Sequence, residues 1–138
     1  VPIGGAAREL RFIMDDKWLL VSAEGKPLER RNVEALDDRR PLLPESDGLR
    51  YASYGRSHAV SADGRILCAR ASNGAIQMWD IPGGEMRSEW TPGPLTTMWM
   101  GLSQDGSRLL TRQVEEPGTE GPWTVRLWDA ATGEMLVE

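Results

Sequence analysis

Apolar residues recur along this chain in short clusters separated by turn-forming residues, a spacing that predicts strands and not helices. Leu10 to Ile13 is followed by Asp15–Asp16 and then by Trp18 to Val21. Ala59–Val60 is followed by Asp63–Gly64 and then by Ile66 to Ala69. Met98 to Leu102 is followed by Asp105–Gly106 and then by Leu109 to Thr111. Asp-Gly tolerates the positive φ of a tight hairpin, so each pair of clusters predicts two antiparallel strands. Helical spacing is absent, and Pro and Gly interrupt the chain too often for long helices.

The pattern repeats. A second turn follows each hairpin at Glu24–Gly25 and Asn73–Gly74, and the third copy has a long loop there instead. A further strand then ends on Trp79–Asp80 and on Trp128–Asp129, with Arg31–Asn32 at the same place in the first copy. The ends of this strand, Asn32, Asp80 and Asp129, lie 48 and 49 residues apart. Outer strands are expected at 40–43, 85–90 and 135–137. A repeat of this length predicts stacked four-stranded units, because one such sheet cannot bury both its faces.

The second and third copies resemble WD-repeat proteins. The family's repeat runs from an S-x-D-G turn to a W-D dipeptide and on to a T-G-E/K turn. Ser61-Ala62-Asp63-Gly64, Trp79-Asp80 and Gly84-Glu85 carry the resemblance in one copy. Ser103-Gln104-Asp105-Gly106, Trp128-Asp129 and Thr132-Gly133-Glu134 carry it in the next. The first copy is similar but degenerate. The resemblance covers nearly the whole chain and implies an all-β fold of three four-stranded antiparallel β-propeller blades in an open arc. The expected divisions are residues 1–44, 45–90 and 91–138. The Gly-His pair usual before the innermost strand is missing from every copy, with Tyr51 near the His position of the second. Asn73 stands there at the Asp position of the family's buried His–Asp pair.

Propellers close with about 4–8 blades, so three leave an arc with two ends. The chain is close to a whole number of repeats. Two readings follow: a piece of a larger propeller whose further blades come from the parent chain, or a head-to-tail homo-oligomer. The start at Val1 instead of Met fits either a processed start or a piece of a longer protein.

Composition narrows the function. The formal charge of −5 is spread without a basic face, which argues against nucleic acid as a partner. No apolar run approaches the roughly 20 residues of a membrane-spanning helix, and no membrane partner is expected. A single cysteine, Cys68, rules out an intrachain disulfide and weakly favours a reducing, cytoplasmic setting. His58 and Cys68 fall in adjacent strands, so a Cys–His pair is conceivable. Cys68 nevertheless lies in an apolar run, where a free cysteine is commonly core. No metal-ligand set and no phosphate-binding loop are visible. No enzymatic activity, cofactor or metal is expected.

Six tryptophans are many for 138 residues. Trp18, Trp79, Trp90 and Trp128 fit blade packing, and Trp99 fits the inner strand. Trp123 differs, because it sits in the loop 113–123, which Pro and Gly keep out of strand pairing. The other long connection carries Arg50, Tyr51, Tyr54 and Arg56. Tyr, Trp and Arg dominate interface energetics. The expected partner-binding rim therefore comprises Arg50, Tyr51, Tyr54, Arg56 and Trp123, edged by Glu115, Glu116 and Glu120. The resemblance implies a noncatalytic protein-interaction scaffold or sensor. Two alternatives stay open: a propeller within a multidomain kinase or peptidase, and a propeller that binds a small ligand or sugar.

Overall fold

A computed structural model describes residues 7–23, 28–42, 58–71, 73–115 and 121–138. Twelve strands form three four-stranded antiparallel sheets in simple meander order. The first sheet contains β1 (Ala7–Ile13), β2 (Trp18–Ala23), β3 (Glu29–Asn32) and β4 (Arg39–Pro41). The second contains β5 (His58–Val60), β6 (Ile66–Arg70), β7 (Ile76–Asp80) and β8 (Glu85–Trp90). The third contains β9 (Thr96–Leu102), β10 (Arg108–Val114), β11 (Thr124–Asp129) and β12 (Met135–Val137). The alternative of helices fails for the reason read in the sequence: turn residues break every apolar run. Among the described residues no helix is long and apolar enough to cross a membrane.

Strand registers make the three sheets superimposable in sequence. Leu19 pairs with Arg31, Leu67 with Trp79 and Leu109 with Trp128. Arg31 therefore occupies the tryptophan position in the first blade. Its guanidinium stays buried and donates to Glu29 Oε1 at 2.7 Å. In the second blade Trp79 Nε1 donates to Gln77 Oε1 at 3.3 Å, two residues back in the same way. The first blade thus keeps the local geometry of the second with a charged pair where the second uses an indole.

The repeated motifs earn their recurrence in the turns. Ser61 Oγ donates to Asp63 Oδ1 at 2.6 Å and accepts the Ile66 N–H at 3.0 Å. Ser103 and Asp105 repeat this at 2.7 Å, with the Arg108 N–H on Ser103 Oγ at 2.9 Å. Gly64 and Gly106 complete each turn at positive φ. The first copy has a shorter turn without glycine, and Met14, Asp15 and Asp16 all take positive φ. The aspartates that end the third strand build the next turn: Asp80 accepts the Gly83 N–H at 2.8 Å, and Asp129 accepts those of Ala131 and Thr132 at 3.1 Å. Asn32 does the same for Glu34 at 2.9 Å.

The core lies between blades. Side chains alternate along each strand, so every blade has a rear face toward the preceding blade and a forward face toward the next. Ile13 and Leu20 from the first forward face pack with Val60, Leu67, Ala69 and Trp79 from the second rear face. Cys68, Ile76 and Met78 from the second forward face pack with Met100, Leu109 and Trp128 of the third. Arginines stitch both seams: Arg11 donates to the carbonyls of Val60 and Ser61, and Arg70 to that of Thr97 at 2.6 Å. Trp90 lies against Trp128 with centroids 5.0 Å apart.

Two tests follow from the turns. A Cβ on Gly64, at φ +69°, would lie 2.6 Å from the Ile13 Cα, whereas one on Gly106, at φ +72°, would come closest to the Ile66 Cδ1 at the end of its side chain, at 2.6 Å. Gly64→Ala should cost about 3 kcal/mol and Gly106→Ala about 1 kcal/mol in urea denaturation. The Ser107 N–H, followed by the Ser103 and Ser107 hydroxyls, holds Asp105 down to about 2, and Asp63 and Asp129 are lowered by similar turn hydrogen bonds. Folded-state values below the unfolded one mean stability that is complete above the unfolded value and is lost as pH falls through the folded one. The urea midpoint should drop between pH 4 and pH 2. Asp105→Asn should lower the midpoint at neutral pH and shrink that drop.

Candidate interaction surface

The third blade exposes the indole of Trp123, at 44% exposure. It precedes β11 at the mouth of the long β10–β11 connection, with exposed Glu115 at the other side of that mouth. Arg112 on β10 pairs with Val125 on β11, and both alternate onto the forward face. The Arg112 guanidinium lies 3.8 Å from the Trp123 ring centroid. The indole is therefore held in place by a cation–π contact while much of its surface stays open to solvent. Arg50, Tyr51, Tyr54, Arg56, Glu116 and Glu120 lie outside the described residues.

Arg112 was not among the residues singled out in the sequence. A lone arginine in an amphipathic strand carries no signal of its own, and its contact with Trp123 depends on the loop folding back. The same holds for the apolar residues beside it. Leu110 occupies the position of Leu20 and Cys68, and Val125 that of Ile76. Cys68 and Ile76 are fully buried, yet Leu110 is 38% and Val125 50% exposed. The rear face of the first blade shows the counterpart. Leu10 and Phe12 occupy the positions of His58 and Val60, buried in the second blade, but are 53% and 56% exposed. Both ends of the arc thus present blade-packing positions to solvent.

The one thiol and the one imidazole do not form a site together. His58 pairs in register with Ala69, and Cys68 with Ala59, which sends the two side chains to opposite faces of the sheet. His58 reaches back to Glu9 of the first blade at 2.9 Å. Cys68 points forward, where its Sγ lies 3.8 Å from Met100 Sδ, and burial pushes its pKa up. A buried, neutral thiol is neither nucleophile nor metal ligand. Among the described residues, no group of three His, Cys, Asp or Glu side chains is placed to hold a metal ion.

With this geometry in view, solved structures locate the fold. The chain is made of β-propeller blades. Solved WD40 propellers share this blade fold: the WD40 repeats of RRP9 superpose with a TM-score of 0.61 at 16% identity over 92% of this chain. U3-55K gives a TM-score of 0.61 at 16% identity over 92%. The β-propeller domain of Cps50 (Swd1) from Myceliophteria thermophila gives 0.64 at 15% identity over 98%. The chain spans only 36%, 37% and 39% of those three structures. No protein-family model matches the sequence, and no curated protein matches it.

Burial of Cys68 makes its reactivity a probe of the seam between the second and third blades. Native protein should react with a thiol-specific aromatic disulfide reagent at least about a hundredfold more slowly than denatured protein. Equal rates would show that this seam opens freely.

Proposed function

We propose that the chain is a noncatalytic protein-interaction module that engages its partner through the rim at the β10–β11 connection. The observation that carries this reading is Trp123: a large aromatic side chain exposed to solvent and already positioned by Arg112. An ordered aromatic anchor binds without a large loss of side-chain freedom, which is the property of interface hot spots. Glu115 stands beside it, and Glu116 and Glu120 follow in the same loop. This acidic edge suits a partner that presents Lys or Arg around an apolar pocket. Arg50, Tyr51, Tyr54 and Arg56, on the other long connection, complete the rim in this reading. The net charge of −5 speaks against nucleic acid in that role.

The absence of enzymatic activity belongs to the same proposal. It is supported by the separation of His58 and Cys68 onto opposite faces of one sheet. The fold by itself prescribes no activity.

Immobilised chain should retain a specific protein from an extract of its source cells. Titration of that protein against Trp123→Ala should show binding weakened about thirtyfold, in line with loss of a hot-spot aromatic. Arg112→Ala should weaken it less, because the ring remains but loses its support. Unchanged binding by Trp123→Ala, with an unaltered thermal unfolding curve, overturns the anchor.

A further inference from the structure

We infer that the outer edge of the first seam is a site for a phosphate-type oxyanion, held by Arg30 and Arg40 beside the indole of Trp18. The site lies on the first blade, so it stands or falls independently of the rim around Trp123.

Strand register brings the three side chains together. Trp18 on β2, Arg30 on β3 and Arg40 on β4 alternate onto the forward face of the first sheet, and Arg30 and Arg40 pair directly opposite each other. Their guanidinium carbons lie 4.9 and 5.2 Å from the centroid of the Trp18 ring. Like charges directly opposite on neighbouring strands repel. The shared ring attracts each cation but neutralises neither.

Arg30 is the under-satisfied member. It bonds no carboxylate among the described residues: its Nη1 contacts are the Met14 Sδ at 4.0 Å and the Ile81 carbonyl at 3.4 Å. Its Nε is buried without a hydrogen-bond partner. The seam arginines Arg11 and Arg70, by contrast, bond carbonyls at 3.0, 3.1 and 2.6 Å. Asp38 is engaged by Arg40, through both its oxygens, at 3.2 and 3.1 Å. Burial, and then the charge of Arg40, lower the Arg30 pKa from the ordinary arginine value. A guanidinium nevertheless stays protonated in a protein, so the charge persists without a carboxylate of its own.

Packing does not require that charge. The second blade fills the same three positions with Ile66, Met78 and Ser88, and Met78 is buried against the third blade. The third blade has Arg108, Leu127 and Val137 there. A seam therefore closes with methionine at the Arg30 position and desolvates no cation in doing so. What the arginine pair adds is the capacity to hold an anion.

The chemistry of the pair selects the ligand. One carboxylate matches one guanidinium fork, and Asp38 already supplies one to Arg40. A phosphate monoester offers three acceptor oxygens and about two negative charges, enough to engage Arg30 and Arg40 together. The Arg40–Asp38 pair is no bar, because its side chains are 56% and 36% exposed and such pairs contribute little. The formal charge of −5 opposes extended polyanions, nucleic acid and anionic membrane surfaces alike, and favours a phosphate presented singly. Free phosphate and the phosphoryl group of a modified serine share this chemistry.

Phosphorus NMR of inorganic phosphate, titrated with the full chain at constant ionic strength, should show line broadening that saturates at one site per chain. N-acetyl-phosphoserine amide reads the source. Binding tighter than that of inorganic phosphate assigns the site to a phosphorylated side chain, and binding no tighter assigns it to the free ion. Arg30→Met and Arg40→Ser install the second blade's residues, so the thermal unfolding curve should be retained. Each should weaken phosphate binding at least about tenfold. Asp38→Asn frees Arg40 and should tighten binding about threefold. Should Arg30→Met not fold, Arg40→Ser on the exposed edge strand decides alone. Absence of saturable phosphate binding, or binding that the folded arginine variants leave unchanged, overturns the inference. So does weaker binding by Asp38→Asn.

Discussion

A four-stranded sheet with apolar side chains on both faces cannot be stable alone in water, and everything else in this molecule depends on that constraint. The middle blade satisfies it. Leu67 and Ala69 face backward and Cys68 and Met78 forward from adjacent strands, and all four are buried because a blade lies on either side. At about 25 cal/mol per Å² of apolar area, such seams supply most of the favourable free energy of folding. The hydrogen-bonded meander within each blade satisfies the backbone but contributes little to uniqueness by itself.

The turns make stacking possible. Ser61 with Asp63, and Ser103 with Asp105, tie their hairpins into one shape, so successive blades present the same profile to one another. Glycine at the end of each turn lets the preceding blade approach closely, as Ile13 does at Gly64. A backbone hydrogen bond then joins neighbouring turns, from Met14 N–H to the Asp63 carbonyl and from Ala62 N–H to the Gln104 carbonyl. The chemistry of the repeat signature is thus structural, and the residues left for recognition are those outside it. Arg112, Trp123 and Glu115 lie where the third copy departs from the regular hairpin turn.

The blade architecture was legible in the sequence to within a residue or two. Outer strands expected at 40–43, 85–90 and 135–137 appear as Arg39–Pro41, Glu85–Trp90 and Met135–Val137. Asp-Gly turns and strand-ending W-D pairs are local, and local hydrogen bonds execute them. The degenerate first copy was also placed correctly, because Asn32 caps its turn as Asp80 and Asp129 cap theirs. The candidate surface was legible only in part. Trp123 was marked by its loop, but its support from Arg112 arises across a chain reversal of eleven residues that no local pattern encodes. Arg31 read as a lost tryptophan, and its burial against Glu29 became visible only with the strand register.

What the sequence determined by itself is the repeat: three meanders, their turns and the alternation of apolar positions, all set by interactions within a few residues or across one hairpin. What the tertiary structure decided is which apolar positions find a neighbour. Alternation marks Leu110 and Cys68, or Phe12 and Val60, as equivalent, and only stacking distinguishes them. Burial belongs to a pair of surfaces, and the sequence of one surface does not say whether the other is present.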